Sequence, residues 1–156
     1  LKDDRASSQE EYVLYHYSMG YLYFDEQSYS QSMEWFSNYL RLQQDRSDVT
    51  VSDAYNRIAD CYFVRTNYTQ AIAYYERCIE TGRADVDYAM FQKGFTLGLL
   101  DRPGEKVEVL NRLIDELPQS SFVDDALFEI GRSYVVLNQP DRALTYYERI
   151  ISEHPN

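Results

Sequence analysis

Apolar residues in the last part of the chain recur at helical spacing in two blocks separated by a short polar break. Between Phe122 and Asn156, Leu127, Ile130, Gly131 and Tyr134 fall three, one and three residues apart, which places them on one helical face. After Asn138-Gln139-Pro140, Ala143, Tyr147 and Ile150 follow at spacings of four and three. The pattern predicts a helical hairpin with more apolar surface than its two helices can cover between them. It needs neighbours.

The earlier chain supplies them in the same register. With Gly131 as anchor, Tyr134 lies three residues on, Ala143 twelve on and Tyr147 sixteen on. Gly94 repeats this with Leu97, Lys106 and Leu110; Ala59 with Tyr62, Ala71 and Tyr75; Gly20 with Tyr23, Ser32 and Phe36. The anchors are 39, 35 and 37 residues apart, a period that marks a solenoid of helical hairpins. A small anchor lets two helices approach, a small residue meets it from the partner helix, and aromatics fill the wedges between hairpins.

Local signals place the element ends. Residues 1–8 are polar and expected to fray, and Ser8 to Glu11 reads as a capping box opening a helix that runs to Asp25. Ser28 with Gln31 opens the second helix, which ends near Gln44; Thr50 with Asp53 opens the third and Asn67 with Gln70 the fourth. The linker Asp45-Arg46-Ser47-Asp48 is long enough for an extra turn, and Gly82 reads as a helix stop. The fifth helix holds Tyr88 to Leu99, Asp101-Arg102-Pro103-Gly104 is a turn, and the sixth helix ends before Pro118. Ser121 with Asp124 opens the seventh, and Pro140 starts the eighth.

These residues resemble the tetratricopeptide repeat family. His16, Tyr55, Met90 and Leu127 stand at the bulky site four before each anchor, and Pro118 and Pro155 at the terminal proline. The departures are Ser32 and Lys106 for the second-helix alanine, and Gln44 and Arg83 for the proline. The resemblance implies an all-α, right-handed superhelix of about four hairpins and eight helices in a single domain. Its repeats would span residues 13–46, 52–84, 87–120 and 124–156. The phrase Leu117-Pro118-Gln119-Ser120-Ser121, followed by Ala126-Leu127 and Ile130-Gly131, is similar to repeats of bacterial cell-envelope proteins, both Tol-associated coordinators and outer-membrane-assembly lipoproteins. That likeness implies a non-enzymatic periplasmic or outer-membrane-associated adaptor.

Charge narrows the partners. With a net charge of −11 over 156 residues, nucleic acid and anionic membrane surfaces are poor partners. The 16 tyrosines and only 6 glycines and 4 prolines suit a packed helical array rather than disorder. No run is long and apolar enough to cross a membrane, and no signal peptide is seen. The missing initiator Met and the end after one complete repeat suggest a fragment of a longer array.

No constellation of catalytic, metal-binding or cofactor-binding residues emerges. His16 and His154 stand alone, and His16 occupies a packing site. Asp124 and Asp125 are adjacent rather than facing across a cleft, and no phosphate-binding loop is present. Cys61 and Cys78 fall on the two helices of one hairpin and read as half-buried free thiols, with a disulfide left open. Asn67-Tyr68-Thr69 fits a glycosylation sequon but reads as a helix cap.

In this family the first helix of each hairpin lines a concave groove, so the resemblance points to four rows of groove residues. Three before the anchor stand Tyr17, Asn56, Phe91 and Phe128; one after stand Tyr21, Asp60, Phe95 and Arg132. Four after stand Phe24, Phe63, Gly98 and Val135, and six before stand Leu14, Asp53, Tyr88 and Asp125. Either these aromatics pack against neighbouring hairpins, or they form a groove that accepts a partner peptide. The lysines of a clamp for C-terminal carboxylates are absent from these rows. The leading expectation is a protein-interaction scaffold; the alternative is a carbohydrate-binding module that stacks glycans or peptidoglycan on the aromatic face. Leu144, Tyr147, Ile150 and Ile151 on the last helix further predict a following hairpin or end-to-end self-association.

Overall fold

The computed structural model describes residues 2–45 and 47–153, with side chains between 8 and 152. Among the described residues there are eight α-helices and no strand. They are α1 (Lys2–Asp25), α2 (Tyr29–Leu42), α3 (Val49–Val64), α4 (Tyr68–Thr81), α5 (Val86–Leu99), α6 (Pro103–Glu116), α7 (Val123–Val136) and α8 (Pro140–Glu153). The chain divides after Asp85 into two compact units of two hairpins each.

The repeat frame is the packing frame. In the first unit, a methyl group built on Gly20 would come within 2.7 Å of the Phe36 ring, sixteen residues on. Ser32, twelve on, donates its hydroxyl to the Gly20 carbonyl at 2.9 Å. In the second unit, Gly94 meets Leu110 and Gly131 meets Tyr147 in the same relationship. Ala59, Ala71 and Tyr75 give the matching buried trio in α3 and α4. Each glycine anchor thus sits directly beneath the bulky side chain of its partner helix.

Between hairpins, Phe36, Tyr39, Val51, Ala54 and Ile58 form one core, while Leu110, Leu113, Leu127 and Ile130 are fully buried in the second unit. Side chains of this size contribute roughly 1.5–3 kcal/mol each when buried. His16 is buried as its frame position requires, ringed by Tyr12, Tyr15 and Trp35.

Several ends differ from expectation. Residues 2–8 are helical rather than frayed, and Ser8 to Glu11 lies inside α1, because no Gly or Pro interrupts the chain before Gly20. Asp48, not Thr50, caps α3: its carboxylate accepts the Thr50 amide at 2.9 Å and the Thr50 hydroxyl at 2.7 Å. Ser28 precedes α2 without a side-chain cap, and that helix ends at Leu42. Pro103 and Gly104 open α6 instead of lying in the turn, consistent with proline's fit at a first helical position. Phe122, not Ser121, precedes α7, and Ser120 takes the Phe122 amide on its hydroxyl at 3.1 Å.

Other ends agree. Asn67 accepts the Gln70 amide at the start of α4, and Gly82 ends that helix at φ +60°. In the linker, Asp45 accepts the amide and hydroxyl of Ser47, a local turn that bridges α2 to α3. Arg46, His154 and Pro155 lie outside the described residues.

Candidate partner-binding faces

The first unit brings together part of its predicted face. Tyr17 and Tyr21, one helical turn apart on α1, both donate their hydroxyls to Asp53 Oδ2 on α3, at 2.6 and 2.5 Å. Arg57 lies one turn along α3, 3.5 Å from Asp53 Oδ1 and 2.8 Å from Asp60 Oδ2. Its guanidinium carbon also sits 5.6 Å from the Phe24 ring centroid. Asp60 is buried and accepts the Tyr75 hydroxyl at 2.7 Å. Phe63 packs on Tyr68, with centroids 5.6 Å apart.

Burial, reinforced by the Asp53 carboxylate, drives the Tyr17 phenol far above its ordinary range and pushes Tyr21 up to about 12. Both phenols are therefore donors at any physiological pH. This face is a wired network in which the Tyr17, Tyr21 and Tyr75 hydroxyls are engaged by the Asp53 and Asp60 carboxylates, which Arg57 in turn pairs with.

Asn56 contradicts its predicted place in the groove. It is fully buried, donating its amide to the Asp85 carbonyl at 3.3 Å, with its own Oδ1 left without a partner. The following chain covers it. Asp60, expected to be open, is also enclosed.

In the second unit, Phe91 is half-buried and stacks on Phe122 with centroids 5.2 Å apart and planes at 21°. Here the packing alternative holds. Phe128 is 50% exposed, its ring 5.9 Å from that of Tyr147, so it remains open to a partner.

Phe95 and Arg132 line a cleft of about 260 Å³ together with Leu99, Val136, Lys106 and Glu129. Glu129 uses both carboxylate oxygens, Oε2 for the Lys106 ammonium and Oε1 for Arg132 at 2.8 Å. Burial alone would raise the Glu129 pKa, but the Lys106 hydrogen bond and the two cations outweigh it, holding the carboxyl below its ordinary range. Lys106 and Glu129 are buried, whereas the Arg132 side chain is 59% exposed.

Sequence reasoning missed Arg57 and Glu129. Both stand two before an anchor, a row that holds Ser18, Arg57, Gln92 and Glu129. Charge in a helix otherwise patterned for packing was the available signal. Lys106 registered only as a departure from the repeat.

Cys61 and Cys78 are free, and both are fully buried rather than half-buried. Among the described residues, no group of three His, Cys, Asp or Glu could hold a metal ion, and no helix is long and apolar enough to cross a membrane. The polar groups that a sugar would need beside Tyr17 and Tyr21 are already engaged, so the geometry does not favour the carbohydrate alternative.

Sequence models of the tetratricopeptide repeat match residues 125–156 and 52–81. These coincide with the fourth and second repeats of the frame. No curated protein matches the sequence. Among solved structures, MamA aligns over 96% of this chain and 82% of its own, at 18% identity and a TM-score of 0.75. YrrB, described as a TPR protein with an unusual peptide-binding site, aligns over 90% and 68% at 19% identity and a TM-score of 0.69. The apo form of RapI aligns over 92% and 56% at 16% identity and a TM-score of 0.76. At these identities the likeness shows the fold alone, and none of it supports the cell-envelope resemblance. Residues 52–81 and 125–156 thus match the tetratricopeptide repeat, and the fold around them is an all-α array of helical hairpins.

Proposed function

We propose that the chain is a non-enzymatic interaction scaffold that binds a partner peptide, with the second unit offering the open face. One observation carries this reading: an apolar-walled cleft whose lining residues Leu99 and Val136 are 48% and 68% exposed. Exposed apolar walls around a few fixed polar groups are the usual anatomy of a peptide-binding surface. The first unit contrasts with it, because its tyrosines and carboxylates are satisfied internally. YrrB, similar in fold, is a repeat protein with a peptide-binding site, which supports the same reading.

Selection from a phage-displayed random dodecapeptide library tests it. Wild-type protein is expected to enrich a related set of peptides, and the Leu99→Ser, Val136→Ser double variant to lose them. Equal enrichment on both proteins would sink the proposal.

A place in the bacterial envelope rests on the linker Pro118 to Ser121 alone. Fractionation of cells that express the natural gene product tests it, and recovery only with the cytosol would reject it. End-to-end self-association draws support from Leu144 and Ile151 of α8, 55% and 74% exposed. Light scattering should show association weakened by Ile151→Lys; a monomer at every concentration would reject it.

A further inference from the structure

Two departures from the repeat frame fall in the same hairpin and explain each other. Twelve residues after the anchors, the other three hairpins carry Ser32, Ala71 and Ala143, all buried, but α6 carries Lys106. Four after the anchors the others carry Phe24, Phe63 and Val135, but α5 carries Gly98. A methyl group at Gly98 would lie 3.2 Å from both Cδ and Nζ of Lys106. The lysine stem lies across the bare glycine, and its ammonium emerges beside Glu129 of α7 in the cleft.

Stability does not account for this arrangement. A buried ion pair gains little over apolar packing once desolvation is counted, and the other hairpins manage with small residues. Donors also outnumber acceptors. Both oxygens of Glu129 are used, each by one cation, while an ammonium has three N–H groups and a guanidinium five. With Asp101 also on its lining the cleft is neutral, so the surplus of N–H donors on Lys106 and Arg132, rather than net charge, is what leaves room for one more carboxylate against the apolar walls of Phe95, Leu99 and Val136.

We infer that this cleft is a subsite for a single acidic side chain of the bound peptide, its carboxylate held between Lys106 and Arg132 and its apolar neighbours resting on Leu99 and Val136. The inference rests on the peptide-scaffold reading above. Asp101 on the same cleft, together with the chain's net charge of −11, restricts the occupant to one acid in an otherwise apolar segment and disfavours an acidic run. Glu129 acts as an internal stand-in: it holds both cations in place and competes with the incoming carboxylate.

The test uses peptides from the dodecapeptide selection, resynthesised with amidated C-termini and measured by fluorescence anisotropy. Expected sequences hold one Asp or Glu at a fixed position beside Leu, Ile or Phe. Replacing that acid by its amide should weaken binding about tenfold or more, as loss of a hydrogen bond between charged groups does. Lys106→Met and Arg132→Gln should bind acid and amide peptides alike. Glu129→Gln should bind the acidic peptide more tightly, an effect that loss of structural support alone would not produce. Arg132 is exposed, so its variant reports even if Lys106→Met fails to fold. Peptides without a fixed acid, or an amide analogue that binds equally well, would overturn the subsite and leave the scaffold reading standing; no enriched peptide at all would overturn both.

Discussion

Tyr17 donates its hydroxyl to Asp53 across 36 positions of sequence at 2.6 Å, fastening the first helix of one hairpin to the first helix of the next. Tyr21 repeats the bond to the same oxygen at 2.5 Å. Carboxylates that accept from neutral donors in a half-buried site give bonds of roughly 1.5–3 kcal/mol. A double-mutant cycle of Tyr17→Phe with Asp53→Asn should therefore show coupling of about 1 kcal/mol or more in urea unfolding. Additive losses would mean that the bond contributes only through packing.

Tyr21 and Glu129 should make stability respond to opposite ends of the pH scale. An unfolded tyrosine ionises near pH ~10, whereas folded Tyr21 is pushed up to about 12 and Tyr17 higher still. Between these limits the unfolded chain binds fewer protons, so stability is full below the unfolded pKa and falls as pH rises through the folded one. Glu129 is the reverse case, with its carboxyl held low. Its contribution is present above the ordinary carboxylate pKa and is lost as pH falls through its depressed value. Unfolding free energy measured against pH should lose part of its alkaline slope in Tyr21→Phe and part of its acid slope in Glu129→Gln. Unchanged slopes would contradict the assignment.

The packing frame was legible because its signal is repeated. Gly20 over Phe36 and Gly131 over Tyr147 obey one offset, and a solenoid imposes that offset on every hairpin. Helix starts were less legible. Asp48 and Thr50, or Ser120 and Ser121, are rival polar residues one or two positions apart, and only backbone geometry selects the cap. The faces were read least well, for two physical reasons. Asn56 shares a row with Tyr17 and Phe128, but the chain at Asp85 folds over it. Glu129 and Lys106 make sense only as a pair, and the residues lie 23 positions apart on different helices.

Cys61 and Cys78 should be silent in the native protein. Both are fully buried, and burial pushes the Cys61 thiol up to about 11 and the Cys78 thiol up to about 12. Only the thiolate attacks a disulfide reagent, so low ionisation and lack of access act together. With Ellman's reagent at pH ~8, where an ordinary thiol of pKa ~8.5 is partly ionised, two equivalents of thiol should appear only in denaturant. Rapid reaction of either cysteine in buffer would show that its hairpin opens locally.

Glycine-to-alanine changes should separate packing from helix propensity. Both Gly20 and Gly104 lie within helices, and alanine there gains roughly 0.5–1 kcal/mol of propensity. At Gly20 the new methyl would meet the Phe36 ring at 2.7 Å, and Phe36 is fully buried. Overpacking of this kind costs roughly 1–3 kcal/mol, more than the propensity gain. At Gly104 nothing lies within 4 Å, so only the gain remains. Gly20→Ala should lower the urea midpoint and Gly104→Ala leave it unchanged or raise it. Adding Phe36→Leu to Gly20→Ala should recover part of the loss, because the smaller side chain relieves the contact. If Gly20→Ala alone is neutral, the close approach of α1 and α2 is not what selects glycine at the anchor.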